Sequence, residues 1–366
     1  MRSRAIFLAL TCLSLAGCSN NTSSAPAAVL RAYNGTASVG DFLTITLDST
    51  ALTISYTDVS NGDTGVVPYT VNADGTYTLN DPEGNLIAAY EVPGYALLIQ
   101  AAKTGPNHDT PALITAVESG PISEATFAGN AYNFMQFRTA AGGVNIGSVS
   151  ISTQGAGTTS TYWPYGAVSQ NGSSFNSSTL QIGQAQEDPS GTFLTMPDPG
   201  GGHDTVFGTA NGIFAVDSHN GAILGLQKAA TKNLSASFAG TYKAIYYQKT
   251  GASTGAGNVE TGTPSLDNAV ITVTSGGQMT IVDTQGNTVV QATLTPVADA
   301  PYLFGSPGEL QDPCNGLFTV RIASASSQQD VFVTFMNNAL LFSSFQANLP
   351  WNSSGTYNYF YGVGLK

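Results

Sequence analysis

Alternation of apolar and hydroxyl-bearing residues, interrupted at short intervals by glycine-containing corners, constrains this chain more than any other feature. Phe42-Leu43-Thr44-Ile45-Thr46-Leu47, Ala51-Leu52-Thr53-Ile54-Ser55-Tyr56 and Val66-Val67-Pro68-Tyr69-Thr70-Val71 follow a period of two, the spacing that puts successive side chains on opposite faces of a strand. Between them stand Asn61-Gly62 and Asp74-Gly75, which supply the positive φ angles that tight hairpins need. Tyr77 to Leu79, Asn85 to Val92, Tyr95 to Ala101 and Ala112 to Val117 continue the series, with Asp81-Pro82-Glu83-Gly84 as another corner. The pattern predicts an antiparallel meander.

The meander is repeated. Phe127-Ala128-Gly129-Asn130 with Arg138-Thr139 ending its first strand matches Phe238-Ala239-Gly240-Thr241 with Lys249-Thr250 at the same offset, a gap-free agreement over about a dozen positions. Gly191-Thr192-Phe193 answers Gly75-Thr76-Tyr77 and Gly316-Leu317-Phe318, and Asp204-Thr205-Val206-Phe207 answers Asp330-Val331-Phe332-Val333. Each copy closes on an apolar strand: Ala112 to Val117, Ala222 to Leu226, and Tyr359 to Leu365. The expected fold is all-β, with three tandem antiparallel β-meander modules over residues 30–120, 121–233 and 234–366, each a small barrel or sandwich of about seven or eight strands. The alternative is a single β-propeller-like assembly: Asn211 to Gly225 resembles the blade repeat of quinoprotein-type propellers, in which apolar-Asp and a following Gly mark a hairpin, although the usual tryptophan is absent.

Composition agrees with an all-β chain and narrows its partners. Gly numbers 41 of 366 residues, and only 9% are charged, with 11 Lys+Arg against 23 Asp+Glu. A net charge of −12 repels phosphate backbones, so nucleic acid is not an expected partner. No glycine-rich loop precedes a helix, and no cofactor is expected.

At the amino terminus Arg2 and Arg4 precede an apolar run, Ala5 to Ala16, that ends in Leu15-Ala16-Gly17-Cys18. The run is too short to span a bilayer ~30 Å thick. This stretch resembles the lipobox of a bacterial lipoprotein precursor. The resemblance implies a signal peptide over residues 1–17, cleavage before Cys18, a diacylglycerol thioether on its sulfur and acylation of the new amino terminus. Ser19 in place of Asp implies outer-membrane sorting in a two-membrane host. Loss of Arg2 and Arg4 would take the net charge from −12 to −14. Residues 18–29, rich in Ser, Asn, Thr, Ala and Pro, read as a flexible tether. Cys12 leaves with the signal and Cys18 carries lipid, so Cys314 stands alone and no intramolecular disulfide is expected.

Two constellations are candidates for chemistry. His203-Asp204 and Asp217 with His219 lie in one repeat on loops that a hairpin could join, giving a mixed N/O metal site, although their spacing matches no metal motif and is that of polar turn residues at loop tips. Tyr162, Trp163 and Tyr165 in a Ser/Thr/Gly-rich loop, and Trp351 with the row Tyr357, Tyr359 and Tyr361, offer flat rings beside hydrogen-bonding groups, as a glycan platform needs; the same alternation also suits a core. Turns such as Asp74-Gly75, Asp188-Pro189-Ser190-Gly191 and Asp283-Thr284-Gln285-Gly286-Asn287 have Asx-turn chemistry and lack the ligand spacing of a twelve-residue calcium loop. No familiar nucleophile motif is present. The expected role is non-enzymatic: an envelope- or surface-anchored lipoprotein that binds or scaffolds a glycan or envelope protein. An anchored extracellular hydrolase acting on a polymer is the alternative.

Overall fold

The computed structural model describes residues 29–80, 86–101, 111–138, 143–151, 158–164, 176–180, 185–197, 202–209, 212–218, 221–253, 263–299, 315–323, 327–348 and 355–366. The first sheet contains β1 (Leu30–Ala37), β2 (Phe42–Asp48), β3 (Thr53–Asp58), β4 (Asp63–Val71), β5 (Tyr77–Asn80), β6 (Leu86–Val92), β7 (Ala96–Ala101) and β8 (Ala112–Glu118). Neighbours in sequence pair antiparallel throughout, and β1 pairs with β8, so the meander closes into an eight-stranded barrel. The corners form where the turn chemistry put them. Gly62 (φ +78°) closes β3 onto β4, and Gly75 (φ +81°) closes β4 onto β5. Closure satisfies the backbone groups that an open edge would expose.

A four-residue helix, α1 (Glu124–Phe127), leads into the second sheet: β9 (Ala131–Arg138), β10 (Gly143–Ser150), β11 (Thr158–Pro164), β12 (Asn176–Leu180), β13 (Gln186–Glu187), β14 (Leu194–Pro197), β15 (His203–Gly208), β16 (Ile213–Ser218) and β17 (Gly221–Gln227). The third begins after a short 3-10 turn, Ala236–Phe238, and holds β18 (Gly240–Ser253), β19 (Thr263–Val273), β20 (Gln278–Asp283), β21 (Thr288–Thr293), β22 (Thr295–Pro296), β23 (Leu317–Ala323), β24 (Ser327–Met336), β25 (Ala339–Asn348) and β26 (Gly355–Leu365). Both are nine-stranded. First pairs with last, β9 with β17 and β18 with β26, and the ladder breaks between β12 and β13 and between β21 and β22. Matching segments of the repeat occupy matching strands: Asp204 to Phe207 lies on β15 and Asp330 to Val333 on β24. The Phe-Ala-Gly openings also coincide. Phe127 and Phe238 are buried, Ala128 (φ −60°, ψ 132°) and Ala239 (φ −65°, ψ 141°) share one conformation, and a glycine of positive φ follows each.

Three expectations need correction. The propeller alternative is overturned, because the strands form one eight-stranded and two nine-stranded sheets instead of four-stranded blades. The blade-like stretch makes the β16–β17 hairpin inside a nine-stranded sheet. The strand count per copy exceeds seven or eight in the second and third units, where a two-residue strand, β13 or β22, is added. Lys249-Thr250 does not end its strand, since β18 runs on to Ser253.

The units pack together through the outer faces of their closing strands. On β1, Tyr33 and Ala37 point into the barrel, while Asn34 and Thr36, of opposite parity, are buried against the second unit. The Asn34 amide donates to the Thr192 carbonyl at 2.7 Å. One apolar cluster runs from Phe42, Leu98 and Val117 of the barrel through Phe137 and Phe214 to Tyr247, Leu341 and Tyr361 of the third unit.

Candidate functional site: the plugged mouth of the barrel

Because the strands alternate direction, the entry of the chain at Val29, the β2–β3 turn, the β4–β5 turn and the β6–β7 turn all lie at one end of the barrel. Just inside this mouth, inward parity places four polar groups together. Arg31 and Tyr33 come from β1, Tyr77 from β5 and Glu91 from β6. Arg31 grips the carboxylate with both arms, Nε to Oε1 at 2.5 Å and Nη2 to Oε2 at 2.8 Å. The Tyr33 hydroxyl donates to Oε1, and the Tyr77 hydroxyl donates to Oε2 at 2.7 Å. The Tyr69 ring packs against Tyr77 at a tilt of 32°, ring centroids 4.7 Å apart.

A buried carboxylate is tolerated when its charge is paired and its lone pairs are filled. Here a bidentate guanidinium and two phenols do so, and charge assistance strengthens each bond. Burial, followed by the hydrogen bond to Glu91, pushes both Tyr33 and Tyr77 well above the ordinary phenol range. The hydrogen bond to Glu91 holds the Arg31 guanidinium in its charged form. Both phenols therefore stay protonated at neutral pH and serve as donors. The cluster plugs the mouth level with Leu47 and Leu97, the register partners of Arg31 and Glu91, and deeper in Leu43, Ile99 and Ile114 fill the interior.

The rim outside the plug is apolar. Val29, Leu30, Leu52 and Val71 are 55%, 61%, 40% and 56% exposed, and Leu52 adopts φ +54°, which a leucine rarely does. Neither plug nor rim was singled out in the sequence. The available signal was a charged residue at the inward parity of an apolar strand: Arg31 two positions before Tyr33, and Glu91 two positions after Ala89.

The candidate metal residues divide. His203 is exposed at the start of β15, and Asp204 beside it is half-buried. Asp217 on β16 is buried where the barrel meets the second unit, with Thr36 Oγ1 donating to its Oδ1. Burial, with Asp41, Asp204 and Asp58 nearby, raises the Asp217 carboxyl well above the usual range. The Asn61 amide bridges Asp41 and Asp58 at 2.9 Å each. His219 lies outside the described residues, and among those described no three His, Cys, Asp or Glu side chains are grouped to hold a metal ion.

Of the aromatic candidates, Tyr162 and Trp163 lie on β11, paired with Gly147 and Ile146. Cys18, Tyr165 and Trp351 fall outside the described residues, as does Cys314. Tyr361 is no platform: it is buried, and its ring stacks on Phe137 at 5.2 Å between the second and third units. The acidic corners have the Asx geometry expected of them. Asp74 Oδ1 accepts from Thr76 N at 3.0 Å, Asp188 Oδ1 from Ser190 N at 2.8 Å, and Asp283 Oδ1 from Gln285 N at 2.9 Å.

A cleft of about 210 Å³ separates the barrel from the third unit, lined by Asp74, Tyr90, Lys243, Asn268 and Asp283 among others. Lys243 bridges it, 3.2 Å from Asp74 Oδ2 and 5.2 Å from the Tyr90 ring centre. Among the described residues no helix is long and apolar enough to cross a membrane.

No protein-family model matches the chain. No curated protein matches it. Among solved structures, a double mutant of transferrin-binding protein B, a vaccine antigen from Haemophilus parasuis Hp5, aligns over 92% of this chain and 76% of its own, at 8% identity and a TM-score of 0.24. A single mutant of the same antigen aligns over 89% and 66%, at 8% identity and a TM-score of 0.24. The DNA polymerase sliding clamp of Caulobacter crescentus aligns over 94% and 93%, at 9% identity and a TM-score of 0.13. Likenesses this faint transfer neither fold nor function to this chain.

Proposed function

We propose that this chain is an acylated envelope protein, held at the outer membrane or cell surface by lipid on Cys18, whose β assembly binds or scaffolds a glycan or another envelope component without converting it. The lipobox Leu15-Ala16-Gly17-Cys18, followed by a polar tether, carries this reading. Each buried lipid methylene contributes ~0.8 kcal/mol, so two or more chains on one residue anchor firmly. The barrel supports a structural role for its ionisable groups, since Glu91 is held by three side chains and closed off from bulk solvent. Asp217, whose carboxyl burial raises well above the usual range, is enclosed between units, where a polymer has no access.

Tyr162, Trp163, Tyr165 and Trp351 are the proposed contacts for a partner. Protein beginning at Ser19 is to be screened for glycan binding and for hydrolysis. Binding without turnover, weakened by Trp163→Ala, is the expected result; turnover abolished by one carboxylate substitution would replace the binding role with an anchored hydrolase.

A further inference from the structure

The rim of Val29, Leu30, Leu52 and Val71 surrounds the mouth at which the chain enters the barrel, and these four side chains are exposed among the described residues. We infer that this rim rests on the phospholipid surface to which the chain is anchored, so that the barrel stands on the membrane by its plugged end. The inference depends on the acylation proposed above.

Four observations support it. The distance along the chain is short: about eleven residues separate Cys18 from Val29, a reach of at most ~40 Å when fully extended and roughly 20 Å as a flexible coil. As a flexible coil the tether would keep the mouth within about 20 Å of the lipid. The rim is also the main concentration of exposed large apolar side chains on the barrel, with Val59 and Val66 the others among the described residues.

Leu52 is the sharpest case. It occupies the left-handed region at φ +54°, where glycine or asparagine would sit with less strain. The side chain gains little burial in return, being 40% exposed. A strained backbone that displays leucine to the outside is the pattern of a contact residue.

Lastly, the nearby charges are largely committed within the protein. Arg31 holds Glu91. Asp48 Oδ1 accepts from the backbone of Thr50 at 2.8 Å and of Ala51 at 2.9 Å. Asp74 is paired with Lys243. Glu118 is the exposed acid left at this end, so a zwitterionic surface suits the rim better than an anionic one.

The test uses the full-length acylated protein, with Cys314→Ser, in phosphatidylcholine vesicles. An environment-sensitive fluorophore is attached through Leu52→Cys in one sample and Val59→Cys in another. Val59 lies beyond the other end of β3, roughly 20 Å away. The Leu52 label should shift to the blue and resist aqueous iodide at least about twofold better than the Val59 label, as an interfacial side chain does. Equal quenching of the two labels on vesicle-bound protein would overturn the inference while leaving the anchor intact. Protein that fails to float with vesicles would overturn the anchor itself. Shielding of Leu52 that needs no lipid and grows with protein concentration would assign the rim to a second copy of the chain and also overturn the inference. An unlabelled Leu52→Asn variant guards against misfolding: it should melt no earlier than the parent in detergent, yet leave a Val71→Cys label more open to iodide on vesicles.

Discussion

The first and third units are variations on one meander, and they differ in what fills them. The core of the closed barrel has tyrosines, Tyr33 and Tyr69 with Tyr56 and Tyr77 against them, but no phenylalanine among the described residues, and the rest of it is small and aliphatic, with Ala37, Ala89, Ala112 and Ala116 beside Ile45, Leu97 and Ile99. The interior of the third unit is crowded with rings: Phe238, Tyr242, Tyr246, Phe318, Phe335, Phe342 and Phe360. An eight-stranded barrel is just wide enough inside for side chains to fill, and even a Cβ on Gly35 would meet Ala116 Cβ at 3.0 Å. Nine strands and an interrupted ladder between β21 and β22 give the rings their room. Strand number and side-chain volume are thus matched: the added strand and the aromatic interior belong together, while the barrel spends its remaining space on an ion-pair plug at one end.

The two units also use a partly buried arginine differently. Arg31 reaches across the barrel to Glu91, 60 residues away in the chain. Arg321 pairs with Asp330 directly opposite on the neighbouring strand, Nε to Oδ1 at 2.7 Å.

The sharpest way to break the comparison is Glu91→Ala. It would leave a guanidinium and two phenol hydroxyls without their shared acceptor, at an expected cost of about 3 kcal/mol, the lower end for a broken buried pair because Arg31 lies near the mouth. Chemical denaturation would measure this; an unchanged midpoint would mean that the plug does not hold the barrel shut. Next is Gly362→Ala in the third unit. Its Cβ would meet the Phe342 ring at 2.4 Å and Tyr246 Cβ at 2.6 Å, an overpacking expected to cost about 1–3 kcal/mol. The same change at Gly276, where the nearest atom is Thr274 Oγ1 at 3.9 Å, is expected to be close to neutral.

Asp217→Asn tests the junction between the barrel and the second unit through pH. A carboxyl whose folded value is raised favours the folded state most at low pH, below its unfolded value near 3.8, and that contribution fades as pH rises through the folded value. The substitution should keep the Thr36 hydrogen bond, stabilise the protein at neutral pH, and remove a slope of at most about 1.4 kcal/mol per pH unit. Melting scans over a pH series would show it, and an unaltered slope would contradict it. A smaller cost than that of Glu91→Ala is expected for Asp330→Asn, about 1 kcal/mol, because Arg321 is 20% exposed in its side chain and can turn to solvent.

Local pattern carried a good part of this fold. The period-two runs became β2, β3 and β4, the Asn61-Gly62 and Asp74-Gly75 corners became hairpin turns, and the Phe-Ala-Gly signature became a buried phenylalanine followed by a glycine of positive φ, just before β9 and at the first residue of β18. Alternation reports which face a residue takes but not which strand it will meet. That is why Arg31 and Glu91, inward on β1 and β6, could not be paired until closure brought those strands round one interior. It is also why Asp217 was legible as a polar turn residue or a ligand, but not as a carboxyl sealed against Thr36 of another unit. The two-residue strands β13 and β22 were too short to leave a period at all.

What the mature chain begins with decides whether the protein is anchored by lipid. Mass spectrometry of the amino-terminal fragment, taken from protein in the membrane fraction, should find Cys18 as the first residue, bearing a diacylglycerol thioether and an amide-linked acyl chain. An unmodified polypeptide that still begins at Met1 and is recovered from the cell interior would contradict it.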